Sequence, residues 1–361
     1  MSKRYRKTVY WLVNAAALLL ALTFLFSGWV KANDPIGTMV KLADYSAAMG
    51  LGLGEGLLLL TAAVALAFVE FSLGVCLLFG LNRRFVARAT LLLMSVMTLL
   101  SLWLALFNPI SDCGCFGDAL ILTNGQTLAK NLVLLLCAIV VWWRPRFQQR
   151  LLPTGSAWLV STPLMVGIVC YAFYCLSTLP VVDFRPWHVG ADVRKMIDEP
   201  EQHSPLSHRV HELDVAEFFA IDAASGTDLS TDIIFGSGTT LLLIAPNLRD
   251  ADQGCVGLVN EAYDYAVKLG LPFYCLTASD AQAQQFWTEH TGAEYSYLES
   301  DERLLKTMVR ANPGLMIISD GVVRAKWSNW MLPDEQELAA TLATLKRQPR
   351  SPEAATPAAQ E

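Results

Sequence analysis

Residues Phe85–Asp118 read FVARATLLLMSVMTLLSLWLALFNPISDCGCFGD, an apolar run from Phe85 to Phe107 followed by a short polar loop that holds Cys113 and Cys115. A helix of that length crosses a hydrocarbon core of about 30 Å, so the loop and its two thiols lie at a membrane surface. Gly114, between the cysteines, supplies the backbone angles that so small a disulfide ring would need. Comparable runs lie on either side, at Thr8 to Val30, Leu57 to Leu81, Leu128 to Trp143 and Ala157 to Leu176. The composition of the 361-residue chain agrees: 53% of its residues are hydrophobic and 17% are charged, a balance unlike that of a soluble globular domain.

Basic residues sort around these spans. Lys3, Arg4, Arg6 and Lys7 precede the first, Arg83, Arg84 and Arg88 follow the second, and Arg144, Arg146 and Arg150 separate the fourth from the fifth. The alternate loops carry chiefly Lys31, Lys41 and Lys130. The positive-inside rule therefore predicts a cytoplasmic N-terminus in a bacterial inner membrane, with the Cys113 loop and everything after Leu176 in the periplasm, where disulfides persist. The first span is too long for the apolar region of a signal peptide and lacks a clear small-residue cleavage site, so it is expected to be retained. Membrane lipid is thus one partner. The net charge of −6, without a basic cluster in the outer half, argues against a nucleic-acid surface.

The second half changes character. Residues 180–235 read as a periplasmic connector, mixed and rich in Glu, His and Ser, with a hairpin expected over Phe218 to Thr227. Beyond it, strand and helix alternate as in a compact α/β domain. Strands are predicted at Thr240–Ala245, Pro272–Leu276, Leu315–Ile318 and Val322–Trp327, the last two joined by Asp320-Gly321, a strong hairpin signal. Helices are predicted at Gly254–Leu269, Ala281–His290, Asp301–Ala311 and Asp334–Leu345, the last with Pro333 at its start. Residues 347–361, rich in Pro, Ala and Ser, read as a disordered tail.

Over about Gly236 to Lys346 this order resembles the thioredoxin-like fold of membrane-tethered thioredoxin-like and peroxiredoxin-like proteins, with Asn312-Pro313 standing where that family places its cis-proline. The family's Cys-x-x-Cys would fall near Arg249-Asp250-Ala251-Asp252, which holds no cysteine, so the resemblance implies the fold in degenerate form. In the membrane half, the phrases Phe26-Ser27-Gly28-Trp29-Val30-Lys31 and Asp34-Pro35-Ile36-Gly37-Thr38, then Glu70 and Asp112-Cys113-Gly114-Cys115-Phe116-Gly117-Asp118, resemble the DoxX/MauE group of four-helix membrane proteins. That resemblance covers about Thr8 to Trp143. It implies a four-helix bundle over 1–150; the fifth apolar run adds a transmembrane helix in 151–179, ahead of the connector over 180–235 and the thioredoxin-like domain over 236–346. It also implies a chemical theme, quinone-linked electron transfer and disulfide-dependent maturation of a periplasmic amine dehydrogenase.

Cys113 and Cys115 are the first candidates for chemistry. The reading as a reversible, strained disulfide that exchanges with a partner thiol stands beside that of a static structural bond; a zinc site would need more ligands than the loop shows. Asp112 and Asp118 would disfavour a thiolate by their charge, or serve as loop caps. Glu70, near the middle of the second span, must face the bundle interior, either as a proton acceptor near a quinone and relay to the loop or as a hydrogen-bonded packing residue. Lys31 would snorkel to headgroups or pair with an acid. Asn14 reads as an interhelical hydrogen-bonding group. Cys170 and Cys175 are spaced off one helical face, with Cys175 close to the level of the Cys113 loop. Cys76 and Cys137 read as packing residues, as do Cys255 and Cys275 unless those two are bonded to each other. His188, beside Trp187, reads as a satisfied loop histidine.

These residues point to a membrane redox protein whose catalytic group is Cys113, Cys115 and Glu70, exchanging with a periplasmic thiol or disulfide protein and linked to a quinone. The competing reading is an accessory or maturation protein, anchored by the bundle, whose outer domain binds a partner without chemistry. A small-solute transporter is disfavoured by the single central acid and the lack of an internal repeat.

Overall fold

The computed structural model describes residues 3–110, 112–153, 155–198, 220–222 and 225–347, and the chain divides into two compact units at Leu176/Ser177. The first unit contains five helices apolar and long enough to cross a membrane: α1 (Lys3–Asn33), α3 (Leu57–Phe79), α4 (Arg83–Phe107), α5 (Asn124–Trp143) and α6 (Ala157–Ser177). All five predicted spans are present. The fourth starts at Asn124 rather than Leu128 because Thr123 and Gln126 form a reciprocal capping box that draws a polar turn into the helix.

Between α1 and α3 lies α2 (Pro35–Ala48), which the reading of apolar runs does not anticipate. Asp34 caps it by accepting from the Gly37 amide, with Pro35 in the first turn.

Lipid removes the hydrophobic incentive for helices to associate, so close backbone packing by small residues takes over. A Cβ on Gly28 would lie 2.6 Å from the Phe71 amide nitrogen, and one on Gly74 would lie 2.8 Å from that of Leu25, which shows how tightly α1 and α3 cross. The interior is filled by Leu20, Phe24, Leu73, Met94, Leu134 and Ala138. Outward-facing Leu92, Leu99, Leu106 and Phe107 are exposed, a surface that suits a lipid-facing helix. Ile168 and Ala172 of α6 pack with Ala32 and Ala67. Asn14 bonds not to another membrane-spanning helix but to the short 3-10 helix Pro145–Phe147 that follows α5. Its amide donates to the Phe147 carbonyl at 3.0 Å and accepts from the Gln149 N–H at 2.7 Å, securing the segment between α5 and α6.

The second unit is an α/β domain. Its six-stranded sheet runs β1 (Ile221–Asp222), β4 (Ser296–Glu299), β3 (Phe273–Thr277), β2 (Thr239–Ile244), β5 (Gly314–Ser319), β6 (Val322–Ser328). The β2/β3 and β3/β4 pairs are parallel, while β1/β4, β2/β5 and β5/β6 are antiparallel. Strand β2 is buried on both faces, which explains its unbroken apolar run. Leu241 and Leu243 join one core with residues of α9 (Val256–Lys268), α10 (Ala281–Thr291) and α12 (Glu335–Arg347); Leu242 and Ile244 join the other with α11 (Glu302–Met308) and α8 (Ser230–Phe235).

The predicted strands appear within a residue or two, and Asp320 and Gly321 both take positive φ, 49° and 72°, as a type I′ hairpin turn requires. The Asn312–Pro313 peptide is cis. The helix expected over Asp301–Ala311 is confined to Glu302–Met308, and β4, four residues long, carries too little sequence for a period to show. In the predicted hairpin, the Asp222 and Thr227 backbones do bond across a turn, although residues 218–219 and 223–224 lie outside the described residues. So do most of the polar connector, 199–219, and the tail beyond 347. The described part of 180–235 includes α7 (Val193–Asp198) and contributes Trp187, Val193, Ala220 and Ile234 to the second core.

Candidate functional site

The loop from α4 to α5 is fixed at both ends. Asn108 closes α4 in a left-handed conformation at φ 46°. Its side-chain oxygen accepts from Asn124 Nδ2 at 2.7 Å, and the same amide donates to the Ile110 carbonyl. Asp112 bridges to Thr123, the cap of α5. Within the loop Gly114 (φ 66°) and Gly117 (φ 51°) occupy the left-handed region, which a side chain would resist. Asp112 acts as a loop cap, accepting from the Gly114 amide through Oδ2 at 3.0 Å, and pairs through Oδ1 with Lys41 at 2.7 Å. Asp118 lies in a single 3-10 turn, Gly117–Ala119.

This frame brings the sulfurs of Cys113 and Cys115 to 2.9 Å, as free thiols. Cys113 is buried and Cys115 half-buried. The loop settles on α1 and α2, each of which grips one cysteine by its carbonyl. Lys31 Nζ and Ser27 Oγ of α1 both donate to the Cys115 oxygen at 2.7 Å, and the Tyr45 hydroxyl of α2 donates to that of Cys113 at 2.8 Å. Phe116 packs against Phe26 and lies beneath the Lys130 ammonium, 4.1 Å from its ring centre.

Glu70 faces the bundle interior and is ion-paired: its Oε2 is 2.9 Å from Lys31 Nζ, and both side chains are 5% exposed. Of the two expectations for Lys31, pairing with an acid is the one found. The ammonium's three protons have three acceptors, Ser27, Glu70 and the Cys115 carbonyl, so the cost of burying the charge is offset by complete hydrogen bonding. The Glu70 carboxylate and the cysteine loop thus share one cation.

Cys113 and Cys115 titrate as a unit. The hydrogen bond between them, with burial next, pushes the Cys113 thiol well up. The same bond lowers Cys115, to about 6, against burial and Glu70 and with the help of the Lys130 and Lys31 charges. One thiol of the pair therefore ionises while the other keeps its proton and donates to it, and the Lys130 and Lys31 charges favour Cys115 as the one that ionises. Tyr45 is held far above the phenol range, by burial first and then by Cys113, so it stays a donor.

Below the sulfurs lies a cavity of about 100 Å³ with a largely apolar wall that includes Phe24, Leu66, Met94, Met97 and Leu134. Lys31, Glu70, Cys113 and Cys115 also line it. Its α2 side is formed by Thr38, Lys41, Leu42 and Tyr45. Those four positions lie on one helical face but are mixed in polarity, so the sequence signal that could have revealed α2, and with it Tyr45, is the Asp34 cap followed by Pro35.

The remaining cysteines lie elsewhere. Cys76 and Cys137 are half-buried packing residues of the bundle, Cys175 is buried on α6 and Cys170 is exposed. Cys255 and Cys275 are separate buried thiols of one core. Burial and the neighbouring Asp252 push Cys255 up to about 11, although it stands at the start of α9. His188 is satisfied by the Arg185 carbonyl at 2.9 Å. Among the described residues no group of three or more His, Cys, Asp or Glu side chains is placed to hold a metal.

The loop, its lysine anchor and the buried acid together occupy the segment that comparison with known families picks out. Residues 9–144 match the family described as methylamine utilisation protein MauE. These MauE-like residues run from α1 to the end of α5, over nearly the bounds of the resemblance drawn from the sequence, and they contain Lys31, Tyr45, Glu70, Cys113 and Cys115. No curated protein matches the chain.

Proposed function

We propose that this chain is an integral membrane redox protein that performs or assists thiol-disulfide exchange at the periplasmic face of a bacterial inner membrane, with Cys113 and Cys115 as the reacting pair. The 2.9 Å separation of their sulfurs carries the reading. One ionised thiol attacks a sulfur of a partner protein's disulfide. The mixed disulfide forms as the partner's S–S bond breaks, and the partner's second sulfur leaves as a thiolate that is protonated by water. The remaining cysteine gives its proton to water and attacks its neighbour's sulfur, which forms the Cys113–Cys115 bond and releases the partner as a dithiol. Two electrons pass from the pair to the partner, and the reverse sequence oxidises a partner dithiol.

The MauE match supports the assignment of the membrane half, and a DoxX-like relationship belongs to the same proposal. The cavity's apolar wall would suit the ring of a quinone, which would supply a two-electron acceptor when bound, with Leu66, Met94 and Leu134 as the holding surface. We further assign the second unit to a degenerate thioredoxin-like fold, supported by its strand order and by the parallel β2/β3 and antiparallel β2/β5 and β5/β6 pairings. One observation favours a second reading, an accessory or maturation protein that binds its partner without chemistry: the turn Arg249–Asp252 holds no thiol and Cys255 is driven towards its neutral form.

Thiol trapping in native membranes tests the proposal. Cys113 and Cys115 are expected to be captured in both oxidised and reduced states, and single-cysteine variants to accumulate a mixed disulfide with a periplasmic protein. A pair locked in one state under every oxidant and reductant, together with full complementation of a deletion strain by the double serine variant at normal protein levels, would establish the accessory reading instead.

A further inference from the structure

The two cysteines of the loop are anchored to different elements. Cys113 hangs from α2 through the Tyr45 hydroxyl, 2.8 Å from its carbonyl. Cys115 is held by α1, through Lys31 and Ser27, each 2.7 Å from its carbonyl. Lys31 in turn is braced by Glu70 of α3 at 2.9 Å. A buried ammonium that spends one of its three protons on a cysteine backbone is an arrangement that a mere charge pair does not need.

We propose that Lys31 is a positioning residue that makes Cys115 the attacking sulfur of the pair: it pins the Cys115 carbonyl and keeps a cation beside the developing thiolate, while Glu70 sets how much of that charge the sulfur feels. The inference rests on the exchange reading above for its chemistry. Cys115 then forms the mixed disulfide, and Cys113, once it has lost its proton to water, breaks it. The lower proton affinity of Cys115 is in accord with this order.

The charged and titratable groups around Cys115 are few enough to name. Lys31 faces it from α1, Lys41 and Tyr45 from α2, Glu70 from α3 and Lys130 from α5; α4 brings only Met94, Met97 and Leu100 to the cavity. Asp112, Cys113 and Asp118 belong to its own loop. Lys31 and Glu70 act with opposite sign, because removing a cation disfavours the thiolate and removing an anion favours it. A purely structural role would push both variants the same way.

The test is the pH dependence of iodoacetamide alkylation of Cys115 in the reduced full-length chain, in detergent, read by mass on the Cys115 peptide. Cys113→Ser provides the background, since serine retains a hydroxyl donor. Lys31→Met is expected to raise the midpoint and slow alkylation at pH 7 about ten-fold, one pKa unit, with Lys31→Arg retaining most of the rate. Glu70→Gln is expected to lower the midpoint. Should Lys31→Met fail to fold with Glu70 unpaired, Lys31→Met in the Glu70→Gln background is neutral overall, and its midpoint is expected above that of Glu70→Gln alone.

Shifts of the same sign for Lys31→Met and Glu70→Gln would overturn the inference, as would no shift, or faster alkylation of Cys113 in Cys115→Ser than of Cys115 in Cys113→Ser. Alkylation needs no partner protein. A failure of the exchange reading, seen as a wild-type pair that never forms a mixed disulfide, is therefore distinguishable from a failure of the role given to Lys31.

Discussion

At Gly114 a single methyl group would undo the site. The residue sits at φ 66°, and a Cβ there would lie 2.6 Å from Lys41 Cγ, so alanine meets both backbone strain and a clash with the side chain that holds Asp112. Gly114→Ala is expected to cost about 1–3 kcal/mol and to slow closure of the Cys113–Cys115 bond, measurable as thermal unfolding in detergent and as the rate of oxidation by a small disulfide. The Lys31–Glu70 pair makes a second residue-scale prediction. Lys31→Met alone leaves a buried carboxylate without its cation and is expected to destabilise the bundle by about 3–5 kcal/mol, whereas the double variant with Glu70→Gln recovers most of that loss. Cys113, Cys115 and Glu70 were identifiable in the sequence as residue types in costly or unusual places. That one lysine links the acid to the loop was not, because Lys31 lies 39 positions from Glu70 and 84 from Cys115 along the chain and no local pattern spans such distances.

Among the elements, the crossing of α1 and α3 depends on Gly28 and Gly74, where backbone meets backbone. Gly28→Leu is expected to prevent the two helices from closing, which also separates Lys31 from Glu70; loss of monodisperse protein in gel filtration would report it, while Gly125→Leu, with open space where its Cβ would lie, is the expected neutral control. The long apolar helices were legible because lipid demands about 20 apolar residues of every span. Helix α2 was hidden for the complementary reason. At 14 residues it is too short to span, and its contact face, Thr38, Lys41, Leu42 and Tyr45, is mixed in polarity because it covers a loop and a cavity rather than a hydrocarbon core. Strand β4 was hidden by its length alone, its pairing supplied by β3 and β1 on either side.

For the molecule as a whole, the segment that follows the last span is stapled into the second unit by Asp183, which bonds Arg185 Nε at 2.7 Å and Lys326 Nζ at 2.8 Å. Burial alone would raise the Asp183 carboxyl, but the charges of Arg185 and Lys326 and the hydrogen bonds they donate overcome it and bring it down to about 2. A carboxyl depressed from 3.8 to about 2 contributes stability that is complete above its unfolded value and is lost as the pH falls through its folded one. Between about pH 4 and pH 2 the loss should reach roughly 2 kcal/mol. Chemical denaturation across that window is expected to show a steeper fall in stability in the wild type than in Asp183→Asn, the difference being the contribution of this carboxyl. Sidedness offers a further prediction at this scale: a reporter active only in the periplasm should be active when fused after Leu345 and silent when fused after Arg84, as the distribution of basic residues requires.

The sequence by itself determined the membrane spans, the separate α/β domain, the type I′ hairpin and the presence of a paired-cysteine loop, because each rests on forces that act locally: transfer of apolar runs into lipid, side-chain periodicity and the backbone freedom of glycine. Only the tertiary structure decided what surrounds that pair. Its sulfurs meet because two glycines turn the loop, and their mutual hydrogen bond is the first thing that sets them apart; Lys130, Lys31, Glu70 and Tyr45 then reach the pair from α5, α1, α3 and α2, distant parts of the chain, in a space of low dielectric. There, a charge a few ångströms away matters far more than it would in water.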